Sequence, residues 1–355
     1  MTLSEISKLR LQSQKIEATT FTNAKEVVTW MGAMQAQDYS MCKWAIGQRM
    51  SDATEQVIET ALNDGLIIRT HLLRPTWHIV SANDIYWMLE LTAPRIKSST
   101  KSRDKELGLT PEVINKSFGL LENQLSNDIN LSRDQIAVIL NDVNIKTDEN
   151  RLSHILMNAE LHGLICSGRR TNGKLTYGLL SERVPVRNSL TKDESLAELA
   201  KRYFVSHGPA TLQDFTWWSG LSVTDATKAL NFVSSGLVSE TIGSMKYWLK
   251  DDYSTSSRET NSVHLLPAFD EFLISYRDRS AALELVHNRK AISNNGIFYP
   301  IIVVNGQVAG IWKRTTRKDR VKIENIFFAA INRKANILIE KEIEIFQQFL
   351  NRHAK

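Results

Sequence analysis

Cysteine is nearly absent: Cys42 and Cys166 are the only two in 355 residues. Two such distant residues make no disulfide framework, and neither has a partner at metal-ligand spacing. The chain also lacks a glycine-rich phosphate loop, a His/Cys/Asp/Glu cluster and a Ser-His-Asp arrangement. Long apolar runs are missing too. Stretches such as Ile301 to Val304 fall far short of the roughly 20 residues that span a bilayer. The first residues, MTLSEISKLRLQSQ, contain no apolar signal core. These absences argue against a disulfide-stapled secreted fold, a membrane protein, and an enzyme built on a metal or nucleotide. The expectation is a protein of the reducing cytoplasm, nucleoid-associated if it binds DNA, with no metal and no cofactor.

What is present is ordinary globular composition, 42% apolar and 23% charged, with a length that suits two or three domains. The net charge of +5 is unevenly spread. Residues 261–355 hold 15 Lys/Arg against 9 Asp/Glu, whereas residues 1–260 hold 29 against 30. The excess gathers in KRTTRKDRVK, Lys313 to Lys322. A basic end favours a polyanionic partner, although such a run on its own is also a solvated face.

One pattern recurs three times: a helical run, a glycine, Leu with Ile or Val, then a hairpin. The copies are ALNDGLIIRTHLLRPTWHIV from Ala61, AELHGLICSGRRTNGKLTYGLL from Ala159 and NFVSSGLVSETIGSMKYWLK from Asn231. Their glycines, Gly65, Gly163 and Gly236, are spaced by 98 and 73 residues. A helix stopped by glycine and running into a two-stranded ribbon is the back half of a winged helix.

In the first copy Ala24 to Met34 reads as a helix with Val27, Val28, Trp30, Met31 and Met34 inward. The next helix opens on Ser51-Asp52 and stops at Gly65. In the second copy LSRDQIAVIL is capped by Ser132, DENRLSHILMNAELHG takes the place of a recognition helix, and the wing turns at Asn172-Gly173. In the third, two helices meet at Gly220-Leu221-Ser222, a helix-turn-helix junction, with Trp217 and Trp218 read as core.

RIKSSTKSRDKELGL, from Arg95, reads as a linker or DNA-contacting loop, and DDYSTSSRETNS, from Asp251, as a domain boundary. Beyond it the pattern turns to strands. HLLPAFD comes first, then YPIIVVNGQVAGIWKR as a hairpin on Asn305-Gly306, then VKIENIFF, and a helix from Lys334 to Phe349 closes the chain. The expected fold class is α+β: three tandem winged-helix units, then a small β-barrel or curled sheet with a terminal helix. The segments are 1–95, 96–190, 191–252 and 261–355.

The one unusual polar group is Gln35-Ala36-Gln37-Asp38, set in the otherwise apolar WMGAMQAQDYSMCKWAIG. Residues two apart diverge on a helix but share a face on extended backbone. For both glutamines to act together, the helix must end near Met34 and the chain must run extended past Gln37. By itself the group reads as a surface patch or a helix cap. Asp38, Asp270 and Glu271 are the carboxylate candidates, Asp38 as a cap for the next turn and Asp270-Glu271 as partners for Arg277 and Arg279. For DNA contact the second wing offers Arg169, Arg170 and Lys174, three cations at one tip, and the first hairpin offers Arg69 and Arg74. His71 and His78, in that hairpin, are candidates for lining a site, as is Asp38; each is also readable as a structural residue.

Taken together, MQAQDYS, RTHLLRPTWHIV, HLLPAFDEFLISYRDRS and YPIIVVNGQVAGIWKR resemble the AlkZ/YcaQ-type winged-helix DNA glycosylases, over nearly the whole length. The chain carries Pro75 and Trp77 in RPTWH, which places it on a divergent branch. The resemblance implies three winged helices around a concave DNA channel and a C-terminal β-barrel. It implies a catalytic pair at Gln35 and Gln37, where one branch of the family has Asp at the second position. The expected activity is monofunctional hydrolysis of the N-glycosidic bond of cationic alkylated purines in double-stranded DNA, interstrand crosslinks among them, by a monomer. Two other readings remain: a winged-helix DNA-binding regulator without catalysis, and a protein-interaction scaffold.

Overall fold

The computed structural model describes residues 1–251, 261–317 and 320–351. Residues 252–260, most of the expected boundary, and 318–319, within the basic run, lie outside the described residues. The chain divides into two compact units. The first comprises Met1–Glu59, Leu196–Trp218 and Ser222–Lys355; the second comprises Thr60–Ser195 with Ser219–Leu221.

The first unit starts with helix Leu3–Ser13, fixed by a reciprocal capping box between Thr2 and Glu5. Helix Ala24–Met31 follows, with the Asn23 side chain accepting from the Glu26 N–H at 3.0 Å. Next come the short strand Ala33–Gln35 and helix Tyr39–Gly47. The middle of the chain adds helices Lys192–His207, Leu212–Ser219 and Val223–Val233, and the hairpin Val238–Ile242 with Met245–Leu249. The junction at Gly220-Leu221-Ser222 is as the sequence suggests, with Ser222 capping the second helix.

The C-terminal strands form one antiparallel sheet. Val263–Leu266 pairs with Ile301–Val304, which turns through Asn305 (φ 50°) and Gly306 (φ 83°) into Gln307–Arg317, and that strand pairs with Arg320–Phe327. The order ends at Val263–Leu266 on one side and Arg320–Phe327 on the other, so the sheet is open. This corrects the expectation of a barrel: among the described residues the two outer strands do not pair. One face packs into a core of Leu11, Leu266, Phe272, Ile301 and Val303. Helix Arg333–Asn351 sets Phe346 against Trp44 and Trp312, with ring centroids 5.0 and 5.1 Å apart. A Cβ on Gly47 would stand 2.7 Å from the Phe349 ring, so this close approach requires glycine.

In the second unit Ile67–Leu72 and Thr76–Ser81 form a hairpin in the register Ile67↔Ser81 to Leu72↔Thr76. Helices Pro111–Leu125, Arg133–Asp142 and Arg151–Leu161 enclose a core of Leu121, Leu125, Ile136, Leu140 and Ile155. Ser132 and Gln135 form the expected capping box, and Leu131–Ser132 joins Thr176–Leu179 and Ile165–Ser167 in a three-stranded sheet.

Three local expectations change. RIKSSTKSRDKE is not a loop but the second half of helix Ile85–Glu106. Its Lys, Arg and Glu are good helix formers, and the Ser99 hydroxyl is turned back onto the Ile96 carbonyl at 2.7 Å. The helix expected to open on Ser51-Asp52 starts at Glu55, because Asp52 lies in a turn at φ 53° and Thr54 Oγ1 takes the Val57 N–H at 3.2 Å. The helix of the third repeat ends in a 3-10 turn, Ser234–Gly236, without the left-handed glycine found at Gly65 (φ 73°) and Gly163 (φ 68°). Among the described residues, no helix is long and apolar enough to cross a membrane.

Candidate active site

The glutamine group is held between two helices, and local chemistry makes both breaks. Helix Ala24–Met31 ends at Gly32, whose φ of 77° and ψ of −62° suit glycine and strain any other residue. The chain leaves this turn extended, as strand Ala33–Gln35. It turns back into helix at Asp38, whose side chain accepts the Ser40 and Met41 N–H groups, both at 3.0 Å. Asp38 is thus a cap, as expected. The helix stops three residues before Met34, and the extended run is shorter than both glutamines require, because Gln37 already lies in a bend. Gln35 is 5% exposed and Gln37 is exposed.

Beneath the strand lies a buried polar network. The Gln35 backbone N–H donates to Glu271 Oε1 at 2.6 Å. The other Glu271 oxygen accepts from the Ser275 hydroxyl, with His207 Nε2 at 3.8 Å. Burial pushes the Glu271 carboxyl up, but His207, the Ser275 hydroxyl and the Gln35 N–H outweigh it and hold it at about 2. Burial pushes His207 down, against the pull of Glu271. At 3.8 Å the imidazole stands beyond hydrogen-bond distance of Glu271, and its Nε2 has no hydrogen-bond partner among the described residues. The ring is stacked on Tyr203 at 4.8 Å, and its Nδ1 meets the Ser206 hydroxyl at 2.7 Å.

Asp270, next to Glu271, is gripped by Arg49 in a two-pronged ion pair at 2.9 and 3.0 Å, both side chains fully buried. The pairing of Asp270-Glu271 with Arg277 and Arg279 is therefore corrected. Asp270 caps the turn Glu271–Ile274 and points inward, while the Arg277 N–H goes to Asp214 and Arg279 Nε goes to the Leu273 carbonyl. Sequence reasoning missed Arg49 and the role of Glu271, which is 236 residues from Gln35.

Lys43, the lysine nearest the glutamines in sequence, is buried and bound to Glu55 at 2.6 Å and Glu59 at 2.8 Å; Glu59 also accepts from the Tyr39 hydroxyl at 2.8 Å. Trp218 is fully buried, as expected of a core residue. Trp217 is 37% exposed and anchors its ring N–H on the Ile274 carbonyl at 2.9 Å.

The remaining candidates lie in the second unit. Arg169, Arg170 and Lys174 share an exposed hairpin tip, which turns at Asn172 (φ 51°) and Gly173 (φ 75°). Arg169 pairs with Asp128, Lys174 with Asp134 at 3.2 Å, and Arg170 Nε donates to the Gly173 carbonyl at 3.0 Å. In the hairpin, Arg69 lies over the Trp77 ring at 4.3 Å, and His71, opposite Trp77, is bonded to the buried Glu160. His78 is fully buried with Nδ1 3.0 Å from the Thr76 carbonyl, and Arg74 is half-buried beside the hairpin turn.

Comparison with known proteins gives the family and the fold. A curated relative, the interstrand DNA cross-link repair glycosylase of Streptomyces sahachiroi, is 23% identical over 322 residues, covering 86% of this chain and 85% of its own. The solved structure of the Streptomyces sahachiroi DNA glycosylase AlkZ superposes with a TM-score of 0.81 at 20% identity, over 98% of this chain and 97% of that one, which shows a shared fold of mixed helix and sheet. The profile of the DNA glycosylase AlkZ-like family matches residues 28–349, glutamine group and C-terminal sheet included, and the chain belongs to that family.

Proposed function

We propose that the protein is a monofunctional DNA glycosylase that releases cationic alkylated purines of the N7-alkylguanine class from double-stranded DNA, with interstrand crosslinks among its substrates. The three helix-and-hairpin segments act as tandem winged helices on DNA, within the division 1–95, 96–190, 191–252 and 261–355, and the protein works as a monomer. The observation that carries the reading is the placing of Gln35 on a strand and Gln37 at its exit, between the Gly32 turn and the Asp38 cap, in a chain of this family. The crosslink substrate follows the name of the curated relative.

The chemistry suits these residues. A glutamine amide does not titrate near neutral pH; it accepts and donates hydrogen bonds, and so aims a water or the deoxyribose. An N7-alkylguanine already carries the positive charge that weakens its bond to C1′. When that bond breaks, its electron pair goes to the base, which departs neutral without needing a proton. Water adds to C1′ and its proton passes to solvent. Gln35 and Gln37 then have only to position the water or the sugar. Lys43, clamped by two carboxylates, is ill placed to form a Schiff base, which supports a hydrolytic rather than lyase reaction.

The test is release of free base from a duplex carrying one N7-methylguanine. Changing both Gln35 and Gln37 to Ala is expected to slow release about 100-fold. Release at the wild-type rate by the folded double variant would sink the reading, and salt-sensitive duplex binding with no release would favour a binding protein.

Arg169, Arg170, Lys174, Arg69 and Arg74 are proposed to contact the DNA backbone. The wing pairs of Arg169 and Lys174 are exposed, so they cost little to exchange for phosphates. Changing Arg169 to Ala is expected to weaken all duplexes alike and lower the slope of log affinity against log salt by about one. An unchanged slope would remove Arg169 from the DNA surface.

A further inference from the structure

We propose that Glu271 is the positioning residue of the glutamine pair, fixing the strand from below through the Gln35 N–H. The inference rests on the glycosylase reading and names a residue that acts through Gln35 rather than on the substrate.

The geometry is specific. Between Gly32 and Asp38 the chain makes no helix of its own, so its buried backbone needs partners from elsewhere. Glu271 supplies one at 2.6 Å, to the residue that carries the first glutamine. Glu271 is itself immobilised. Its second oxygen takes the Ser275 hydroxyl, its neighbour Asp270 is clamped by Arg49, and the Gln14 amide reaches its carbonyl at 3.3 Å. On its far side stands His207, wedged between Tyr203 at 4.8 Å and Trp218 at 5.3 Å. Among the points that hold the strand are the Gly32 turn, the Gln35 N–H and the Asp38 cap. The outer two are local, whereas Glu271 acts from 236 residues away, and its loss is expected to let Gln35 shift. A misplacement of about 1 Å is enough to cost roughly 100-fold in a reaction that depends on aiming.

Three substitutions separate the hydrogen bond from the charge. Glu271→Gln leaves an oxygen for the Gln35 N–H and removes the charge. Glu271→Asp keeps the charge and draws the oxygen back by about 1.5 Å, one bond length. Glu271→Ala removes both. The readouts are kcat and KM for N7-methylguanine release and hydrogen exchange at the Gln35 amide. The expected order of kcat is wild type, Gln, Asp, Ala, with Ala down about 10- to 100-fold and KM within about threefold throughout. Exchange at Gln35 should quicken in the same order. Asp matching wild type while Gln falls to the level of Ala would overturn the proposal, as would a loss confined to KM or lost activity with Gln35 still protected. Where the Ala variant does not fold, the order of Gln and Asp decides. If the wild type itself releases no base, the glycosylase reading has failed. The clamp then stands or falls on exchange alone: faster exchange at Gln35 in Asp than in Gln supports it, and equal exchange overturns it.

Discussion

Replacing Arg49 with methionine is expected to destabilise the protein by roughly 3–5 kcal/mol, the cost of leaving a fully buried carboxylate without its partner. Arg49 donates to both Asp270 oxygens, to the Gln14 side chain at 2.9 Å and to the Gln14 and Ala45 carbonyls at 3.0 and 2.8 Å. Methionine fills much of the volume and satisfies none of these acceptors. The penalty therefore lies mainly in what remains behind, and a second substitution should recover part of it. Asp270→Asn removes the stranded charge while keeping an oxygen to cap the turn at Phe272, where Asp270 Oδ1 now accepts at 2.9 Å. Denaturant midpoints of wild type, both single variants and the double variant form a cycle with an expected coupling of about 1–3 kcal/mol. Additive effects within experimental error would mean that Arg49 is held for packing alone.

This ion pair shows where sequence reading reaches and where it stops. Local rules were legible: the Ser132–Gln135 capping box, the Asn305-Gly306 hairpin turn and the Asp38 cap all depend on residues within three or four positions of one another. The end of helix Ala24–Met31 was harder. Ala33, Met34 and Ala36 are all buried, so apolar periodicity runs on through Gly32 although the backbone has changed from helix to strand. The polar RIKSSTKSRDKE looked like a loop because charge reads as exposure, yet an exposed helix end is equally charged. The outer strands of the C-terminal sheet alternate as they would in a barrel; whether such a sheet closes depends on pairing between its first and last strands, which alternation does not encode.

At the site, the glutamines stand out because two amides interrupt an apolar run. Their support does not. Arg49 and Glu271 are ordinary charged residues, distant in sequence from what they hold, and Asp270 had two nearer arginines to choose from. Only the inward cap geometry of Asp270 selects Arg49. The glutamine positions were thus open to inspection, and the network that fixes one of them was not.

The same network predicts how the fold meets acid. A carboxyl held at about 2 in the folded chain, against an ordinary value of 4.5, favours folding by about 3 kcal/mol at neutral pH. Because the folded value is depressed, this contribution is complete above about pH 4.5 and fades as pH falls towards 2, where both states become protonated. Glu271→Gln cannot titrate. The gap in stability between wild type and this variant should therefore be widest near neutrality and shrink by about 2 kcal/mol between pH 5 and pH 3, while carboxylates common to both proteins cancel in the difference. Denaturant midpoints across that range measure the gap. A constant gap would place Glu271 among residues that hold the fold by shape alone, whereas a closing one would show that the charge beneath the glutamine strand is maintained by the fold and helps to maintain it.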